Sequence, residues 1–295
     1  MQLKQEIQKF KENKIAIGHF NISNFEMLKG VFSAVQDLSK NTGTQVPVII
    51  GLSENERKYL GAEQIIAFIL NLREKTDYPI FINADHCHSY ESAEDAMKAG
   101  VDAVVLDNSK FSLSENIEMT KKTVAKLKEI YPDILIEGEI GFIGGSSKLL
   151  DEIPSGAEVT ADQITKVEEA VKFVKETNID LLAPAVGNIH GVLKNFLNPS
   201  LHIQRIKEIA DSVTIPLVLH GGSGIAKEEV KDAVKAGVVI VHFSTDLRVA
   251  YRAGLQELFE NYFPNHPNEV APYKYMQLVA ISVQKAVSQR LKLLN

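Results

Sequence analysis

Three histidines stand where apolar, strand-like runs give way to loops: His86 in Asn-Ala-Asp-His-Cys-His, His190 in Ala-Val-Gly-Asn-Ile-His-Gly, and His220 in Leu-Val-Leu-His-Gly-Gly-Ser-Gly. A fold that gathers strand ends on one face brings the three imidazoles together. Three histidines with an open fourth position suit a catalytic divalent metal, zinc first. For any one of them the blander reading, a histidine that merely ends its strand, is the better one. Three such placements, one beside Asp85 and one beside a glycine-rich turn, favour a metal site. The single cysteine, Cys87, excludes an intrachain disulfide and a cysteine-based zinc cluster, and reads as a small buried residue beside the site.

The elements that must position these residues follow a βα rhythm. Short runs rich in Val and Ile alternate with longer amphipathic stretches: residues 15–20, then 25–40, 46–52 and 63–75. Further strands are expected at 80–84, 103–106, 134–139, 181–186, 216–220 and 238–243, which makes eight, the number that closes a parallel barrel. Lys98-Ala-Gly-Val and Lys235-Ala-Gly-Val each end a helical pattern in a glycine suited to a C-cap. No linker or composition break divides the chain, so residues 1–295 are read as a single (β/α)8 TIM barrel domain. A helical pattern over 265–295 extends it and packs on the barrel or on a partner subunit.

Such barrels carry their chemistry at the C-terminal ends of the strands and in the loops that follow. Those ends offer Asn21, Ser53, Asp85 with His86, Asp107 to Ser109, Glu137 and Glu139, His190, His220, and Ser244 to Asp246. Gly221-Gly-Ser-Gly precedes the helical run 227–235, so its amides and the Ser223 hydroxyl can cradle an anion near a helix N-terminus. Alone it is an ordinary glycine turn about as often as a phosphate loop. Ser244 and Thr245 after the eighth strand add weight, because barrel phosphate sites commonly use the loops after strands seven and eight.

Composition narrows the partners. The chain has 45% hydrophobic and 24% charged residues, and its net charge of -6 offers no basic footprint for nucleic acid. No apolar run approaches the roughly 20 residues of a membrane span, and the start Met-Gln-Leu-Lys-Gln-Glu lacks the apolar core of a signal peptide. A small soluble substrate and a cytoplasmic location are expected, with no nucleic acid and no membrane as partner.

Taken together, the motifs resemble the class II, metal-dependent ketose-bisphosphate aldolases, which include fructose-1,6-bisphosphate and tagatose-1,6-bisphosphate aldolases. The resemblance runs from Gly18-His-Phe-Asn-Ile-Ser-Asn-Phe-Glu through Pro47-Val-Ile-Ile-Gly-Leu-Ser, Asp85-His-Cys and Glu137-Gly-Glu-Ile-Gly to Gly187-Asn-Ile-His-Gly, His220-Gly-Gly-Ser-Gly and Thr245-Asp-Leu-Arg. Single motifs are weak; their order and spacing are specific. The resemblance implies one catalytic zinc at His86, His190 and His220, with Glu139 at an acidic position that approaches the metal or orients its ligands. It implies Asp85 as the acid/base that takes the C4 hydroxyl proton in cleavage; the blander role for this carboxylate is to orient a ligand. Gly191, Lys194, Gly221, Ser223, Ser244 and Thr245 match positions that bind the phosphate of the dihydroxyacetone phosphate half, and Asn21 and Ser53 match substrate-facing polar positions. A homo-oligomer, dimer or tetramer, is implied as well.

The chemistry agrees with this implication. Cleaving the C3–C4 bond of a ketose leaves an enediolate whose charge a divalent Lewis acid stabilises. The expected reaction is reversible cleavage of a ketose 1,6-bisphosphate, fructose 1,6-bisphosphate first, to dihydroxyacetone phosphate and glyceraldehyde 3-phosphate, in carbohydrate metabolism such as glycolysis. The alternatives are another phosphorylated ketose, or a metal- and sugar-phosphate-binding protein with reduced turnover.

Two departures from the family pattern stand out. Gly144-Gly-Ser146-Ser147-Lys148 lacks the acids that usually follow the glycine pair, Asp151 and Glu152 being the nearest, and His242 occupies a position usually held by asparagine. His242 is read as an inward polar residue rather than a fourth ligand. Asp107 and Glu137 are read as orienting the metal histidines, with a structural monovalent cation as the other option. His19, His88, His202 and His266 are expected to be structural or surface residues. A lysine Schiff-base aldolase needs a buried strand-end lysine, and neither Lys110 nor Lys194 lies in a clear apolar strand. A barrel isomerase shares phosphate loops without needing three histidines.

Overall fold

The computed structural model describes residues 2–145 and 147–294, so Ser146 lies outside the described residues. Ten strands follow in chain order: β1 (Ile17–Asn21), β2 (Val48–Ser53), β3 (Ile80–Cys87), β4 (Ala103–Leu106), β5 (Leu135–Ile140), β6 (Leu149–Leu150), β7 (Leu181–Pro184), β8 (Val192–Leu193), β9 (Leu217–Leu219) and β10 (Val238–Phe243). Eight close a barrel in the order β1-β2-β3-β4-β5-β7-β9-β10, with β10 pairing back onto β1. Every neighbouring pair is parallel, so both faces are covered and Val and Ile can run without alternation. These are the eight expected strands. The two short ones, β6 and β8, pair only with each other and stitch together the loops that follow β5 and β7.

The helices are α1 (Leu3–Asn13), α2 (Phe25–Thr42), α3 (Glu54–Leu60), α4 (Ala62–Thr76), α5 (Tyr90–Ala99), α6 (Leu113–Ile130), α7 (Val167–Thr177), α8 (Ile203–Ser212), α9 (Lys227–Ala236), α10 (Thr245–Glu257), α11 (Phe263–Asn265) and α12 (Pro272–Leu291). Gly100 and Gly237 stand at the C-caps of α5 and α9, as the echoed Lys-Ala-Gly-Val segments suggest. The C-terminal extension becomes α12, which packs on the barrel against α2 and α10. From there Arg290 reaches Asp246 at 2.6 Å, bracing the start of α10.

The Lys-rich start, for which the sequence suggested no element, is helix α1. Its lysines face water while Leu3, Ile7 and Phe10 are buried against the lower barrel interior, beside Ile17, Phe81 and Leu135. The helix therefore plugs the end of the barrel opposite the strand C-termini. Removing most of a buried aromatic leaves a void that the surrounding strands close only in part. Phe10→Ala is expected to lower unfolding free energy by about 3–5 kcal/mol, read from urea denaturation midpoints, with kcat of the folded enzyme unchanged because the chemistry sits at the other end.

Candidate metal centre and anion loop

Strand β3 runs three residues further than the sequence suggested, through Asp85 and His86 to Cys87. A regular strand would turn Asp85 and His86 to opposite faces. The pairing with β4 shifts register between Ala84 and Cys87, and His86 takes a left-handed backbone, φ 50°. That bulge lets neighbouring side chains face the same space. Glu137 and Glu139, two apart on β5, share the inward face. His220 follows β9, with its carbonyl held by the Asn188 amide at 3.0 Å.

The three expected ligands converge. The His86 ring centroid lies 4.9 Å from that of His190 and 5.0 Å from that of His220, and ligand atoms of all three fall within 4.8 Å of one another. In each ring one nitrogen is taken by a fixed oxygen. His86 Nδ1 is 3.0 Å from Asp107 Oδ2, His190 Nδ1 donates to the Gly144 carbonyl at 2.6 Å, and His220 Nε2 is 2.5 Å from Glu137 Oε1. Such outward bonds fix ring orientation and leave the other nitrogen for a metal. Asp107 and Glu137 thus orient histidines, the role expected of them.

Glu139 is buried beside this group, with Oε2 at 3.4 Å from His86 Nδ1 and 3.5 Å from His220 Nδ1. Asp85 Oδ2 accepts from Asn21 Nδ2 at 2.8 Å, and its Oδ1 lies 3.7 Å from His86 and 3.5 Å from His242. Burial opposes the charge on Asp85, but the His86, His242 and His19 imidazoles hold its carboxyl well below the usual range. Burial, with Asp107 nearby, pushes Glu139 up to about 8. Burial and the neighbouring histidines push His190 down to about 3, so it stands as a neutral imidazole ready to ligate. His86 moves the other way: burial opposes its charge, yet Asp85, Asp107 and Glu139 carry it well above the ordinary histidine value.

These groups fit a cation. Among the described residues no lysine or arginine pairs with Asp85, Asp107, Glu137 or Glu139, and Asp85 Oδ1, Glu139 Oε2 and His220 Nδ1 are buried without a hydrogen-bond partner. Oxygen and imidazole donors in this mixture are what a borderline ion such as zinc takes.

His19 is of the structural kind rather than a surface residue, and it stands at the site itself. It is fully buried and stacks on His242, with centroids 3.5 Å apart and planes within 2°, while His242 stacks on His220 at 4.1 Å. The two are direct register partners across β1 and β10, and Gly51 on β2 leaves the room: a Cβ there would stand 2.1 Å from the His19 ring. Parallel rings cannot both aim in-plane lone pairs at one ion, so His19 and His242 wall the site rather than form a second metal centre. His242 is the inward polar residue expected, turned toward Asp85. His88 borders the cleft, 3.7 Å from Asp107; His202 donates to the Val159 carbonyl, and His266 is exposed on Tyr262.

The candidate anion loop is built from two segments. Gly221 has φ 63°, and a Cβ would meet the Ile189 carbonyl at 2.2 Å, so the loop after β9 lies directly against the one carrying His190. Ser223 Oγ accepts from the amides of Ser244 and Asp246 at 3.3 and 3.2 Å, capping α10, and Ser244 Oγ is buried and unpartnered. Gly191, Gly221, Ser223, Ser244 and Thr245 line one small pocket together with His190. Lys194, which directly follows β8, is not among the residues lining that pocket and pairs with Asp151 at 2.8 Å. Outside the pocket a cleft of about 270 Å³ is bordered by Asn21, Ser53, His86, Lys110 and Arg248. Larger grooves flank α1 at the opposite end, away from every histidine.

Two polar residues escaped the sequence reading. Glu56 is buried and accepts from Asn21, Ser23, Ser53 and Arg248, and Arg248 also donates to the Ser147 carbonyl at 2.8 Å. The Ser-x-x-Glu spacing of Ser53 and Glu56 marks a capping box and so a helix start at α3, but nothing local announces the longer reach.

A model of the class II fructose-bisphosphate aldolase family matches residues 1–295. The probable fructose-bisphosphate aldolase of Bacillus subtilis (strain 168) is 30% identical over 285 residues, covering 96% of this chain and 93% of that protein. The fructose-bisphosphate aldolase of Staphylococcus aureus (strain N315) is 30% identical over 294 residues, covering 98% and 95%. Among solved structures, the YdjI aldolase from Escherichia coli K12 superposes with a TM-score of 0.81 at 26% identity, over 99% of this chain and 96% of that one. The chain belongs to the class II fructose-bisphosphate aldolase family.

Proposed function

We propose that this protein reversibly cleaves a ketose 1,6-bisphosphate, with fructose 1,6-bisphosphate the first choice, to dihydroxyacetone phosphate and glyceraldehyde 3-phosphate, using zinc held by His86, His190 and His220. The observation that carries this reading is the triple of imidazoles, each with one nitrogen tied outward, converging beside the Asp85 carboxylate. Bound zinc supplies Lewis-acid polarisation of the ketose carbonyl.

The chain's own groups do the rest. The loops around Gly191, Gly221, Ser223, Ser244 and Thr245 hold the phosphate of the dihydroxyacetone phosphate half with amides at the N-terminus of α10. Asp85, ionised and aligned by Asn21, takes the proton from the C4 hydroxyl as the C3–C4 bond breaks, and returns it to the aldehyde oxygen in condensation. Glu139 keeps the orientation of His86 and His220. Asn21 and Ser53 face the sugar hydroxyls. The homologues' names support the substrate class; the assembly is read as a homo-oligomer, dimer or tetramer, acting in the cytoplasm.

A second reading, another phosphorylated ketose, is favoured by one observation: Arg248, a cation at the cleft, is already committed to Glu56. Lys110 then remains to meet a distal phosphate. This reading separates from the first by substrate.

Cleavage of fructose and tagatose 1,6-bisphosphates is therefore to be assayed side by side, before and after chelation and after zinc restoration. Loss on chelation with recovery by zinc is expected, and the faster ketose names the substrate; metal binding without cleavage of either ketose moves the assignment to another phosphorylated ketose or to a binding role. His220→Ala should abolish both zinc content and turnover. Asp85→Ala should keep its zinc, measured by atomic absorption, while kcat falls by about 100- to 10,000-fold; retention of kcat would remove Asp85 from the acid/base role. Ser223→Ala should raise KM more than it lowers kcat, and should weaken competition by inorganic phosphate.

A further inference from the structure

Glu56 lies at the N-terminal turn of α3, where a capping box alone would explain its bonds to Ser53, 2.9 Å from the amide and 2.8 Å from the hydroxyl. A cap does not explain the rest. The carboxylate is 5% exposed, its Oε2 also accepts from Asn21 Nδ2 at 3.1 Å, and its Oε1 accepts from Ser23 Oγ at 2.9 Å and Arg248 at 2.8 Å. One side chain thus joins the ends of β1 and β2 to α10, and through Arg248 the loop after β5.

The consequence lies in the Asn21 amide. An ionised carboxylate only accepts hydrogen bonds, so Glu56 requires Asn21 to present its nitrogen. That nitrogen has two hydrogens. One goes to Glu56 Oε2, and the other goes to Asp85 Oδ2 at 2.8 Å. Without Glu56 the amide nitrogen loses its second anchor, so the direction of its hydrogen bond to the carboxylate that moves the proton is no longer fixed. We propose that Glu56 is a positioning residue that sets the Asp85 acid/base through Asn21. This rests on the assignment of Asp85 in the proposed function.

The test is a double-mutant cycle on the full chain loaded with zinc. Glu56→Gln preserves shape and an acceptor for the α3 cap, but its neutral amide holds the Asn21 nitrogen less firmly than a carboxylate does. It is expected to lower kcat about 10- to 100-fold, with KM within about 3-fold and zinc content unchanged. Asn21→Ala should lose a similar factor, and the double variant should lose no more than Asn21→Ala alone, because both changes remove one interaction. Ser23→Ala, which removes a donor from Glu56 without touching Asn21, should lower Tm and leave kcat intact. Glu56→Asp, which keeps the charge opposite Arg248 while withdrawing the oxygen from Asn21, carries the same cycle if Glu56→Gln fails to fold. Multiplicative losses in the double variant, an unchanged kcat in Glu56→Gln, or an equal kcat loss in Ser23→Ala would overturn the inference while leaving the aldolase reading intact. Retention of kcat in Asp85→Ala would overturn both together.

Discussion

Negative charge concentrated in the mouth of the barrel is the constraint that the rest of the site answers. Asp85, Glu137 and Glu139 are buried, and Asp107 is nearly so, all within reach of the same imidazoles. An uncompensated buried carboxylate costs several kcal/mol, so these groups are tolerable together only where fixed partners and a cation meet them. Nitrogen on His86 and His220 answers part of the charge, and a divalent ion held by the three histidines would answer more. The same demand explains the bulge in β3. A regular strand would send either Asp85 or His86 outward, leaving the remaining group without its neighbour.

Rigidity for this arrangement comes from elsewhere in the chain. The barrel interior is filled from below by Leu3, Ile7 and Phe10 of α1, so the strands cannot slide relative to one another without opening that packing. Above, α12 lies across α2 and α10, and the Arg290–Asp246 pair ties its last turn to the helix that starts the anion loop. Stability is thus invested at the closed end and along the outer helices. The C-terminal ends of the strands are left free to carry groups that would weaken a core.

Much of this was legible in the sequence, and what was not has physical reasons. The eight strands were readable because parallel strands buried on both faces write themselves as runs of Val and Ile, and His86, His190 and His220 because each follows such a run. The helix α1 was hidden by its lysines, whose long stems disguise an amphipathic pattern of Leu3, Ile7 and Phe10. His19 was unreadable because its stacking partner, His242, becomes adjacent only when β10 closes on β1. Glu56 was hidden differently: local spacing already accounts for it as a cap, so its contacts with Asn21 and Arg248 leave no trace in sequence. Lys194, matched by family resemblance to phosphate binding, follows the short strand β8 and pairs with the exposed Asp151.

The candidate anion loop is already ordered by its own hydrogen bonds. Ser223 Oγ occupies the place between two amides at the start of α10 where a phosphate oxygen would bring full negative charge. A hydroxyl there keeps the amides aligned and satisfied, and an anion accepting from the same amides gains from the helix dipole as well. Gly221, pressed against the Ile189 carbonyl, fixes the distance from this loop to the segment bearing His190. Gly221 thereby couples the candidate anion loop to the segment that carries His190. In the proposed reaction, capture of a phosphate there would set the reacting carbon against Asp85, with binding energy spent on alignment rather than on moving the protein.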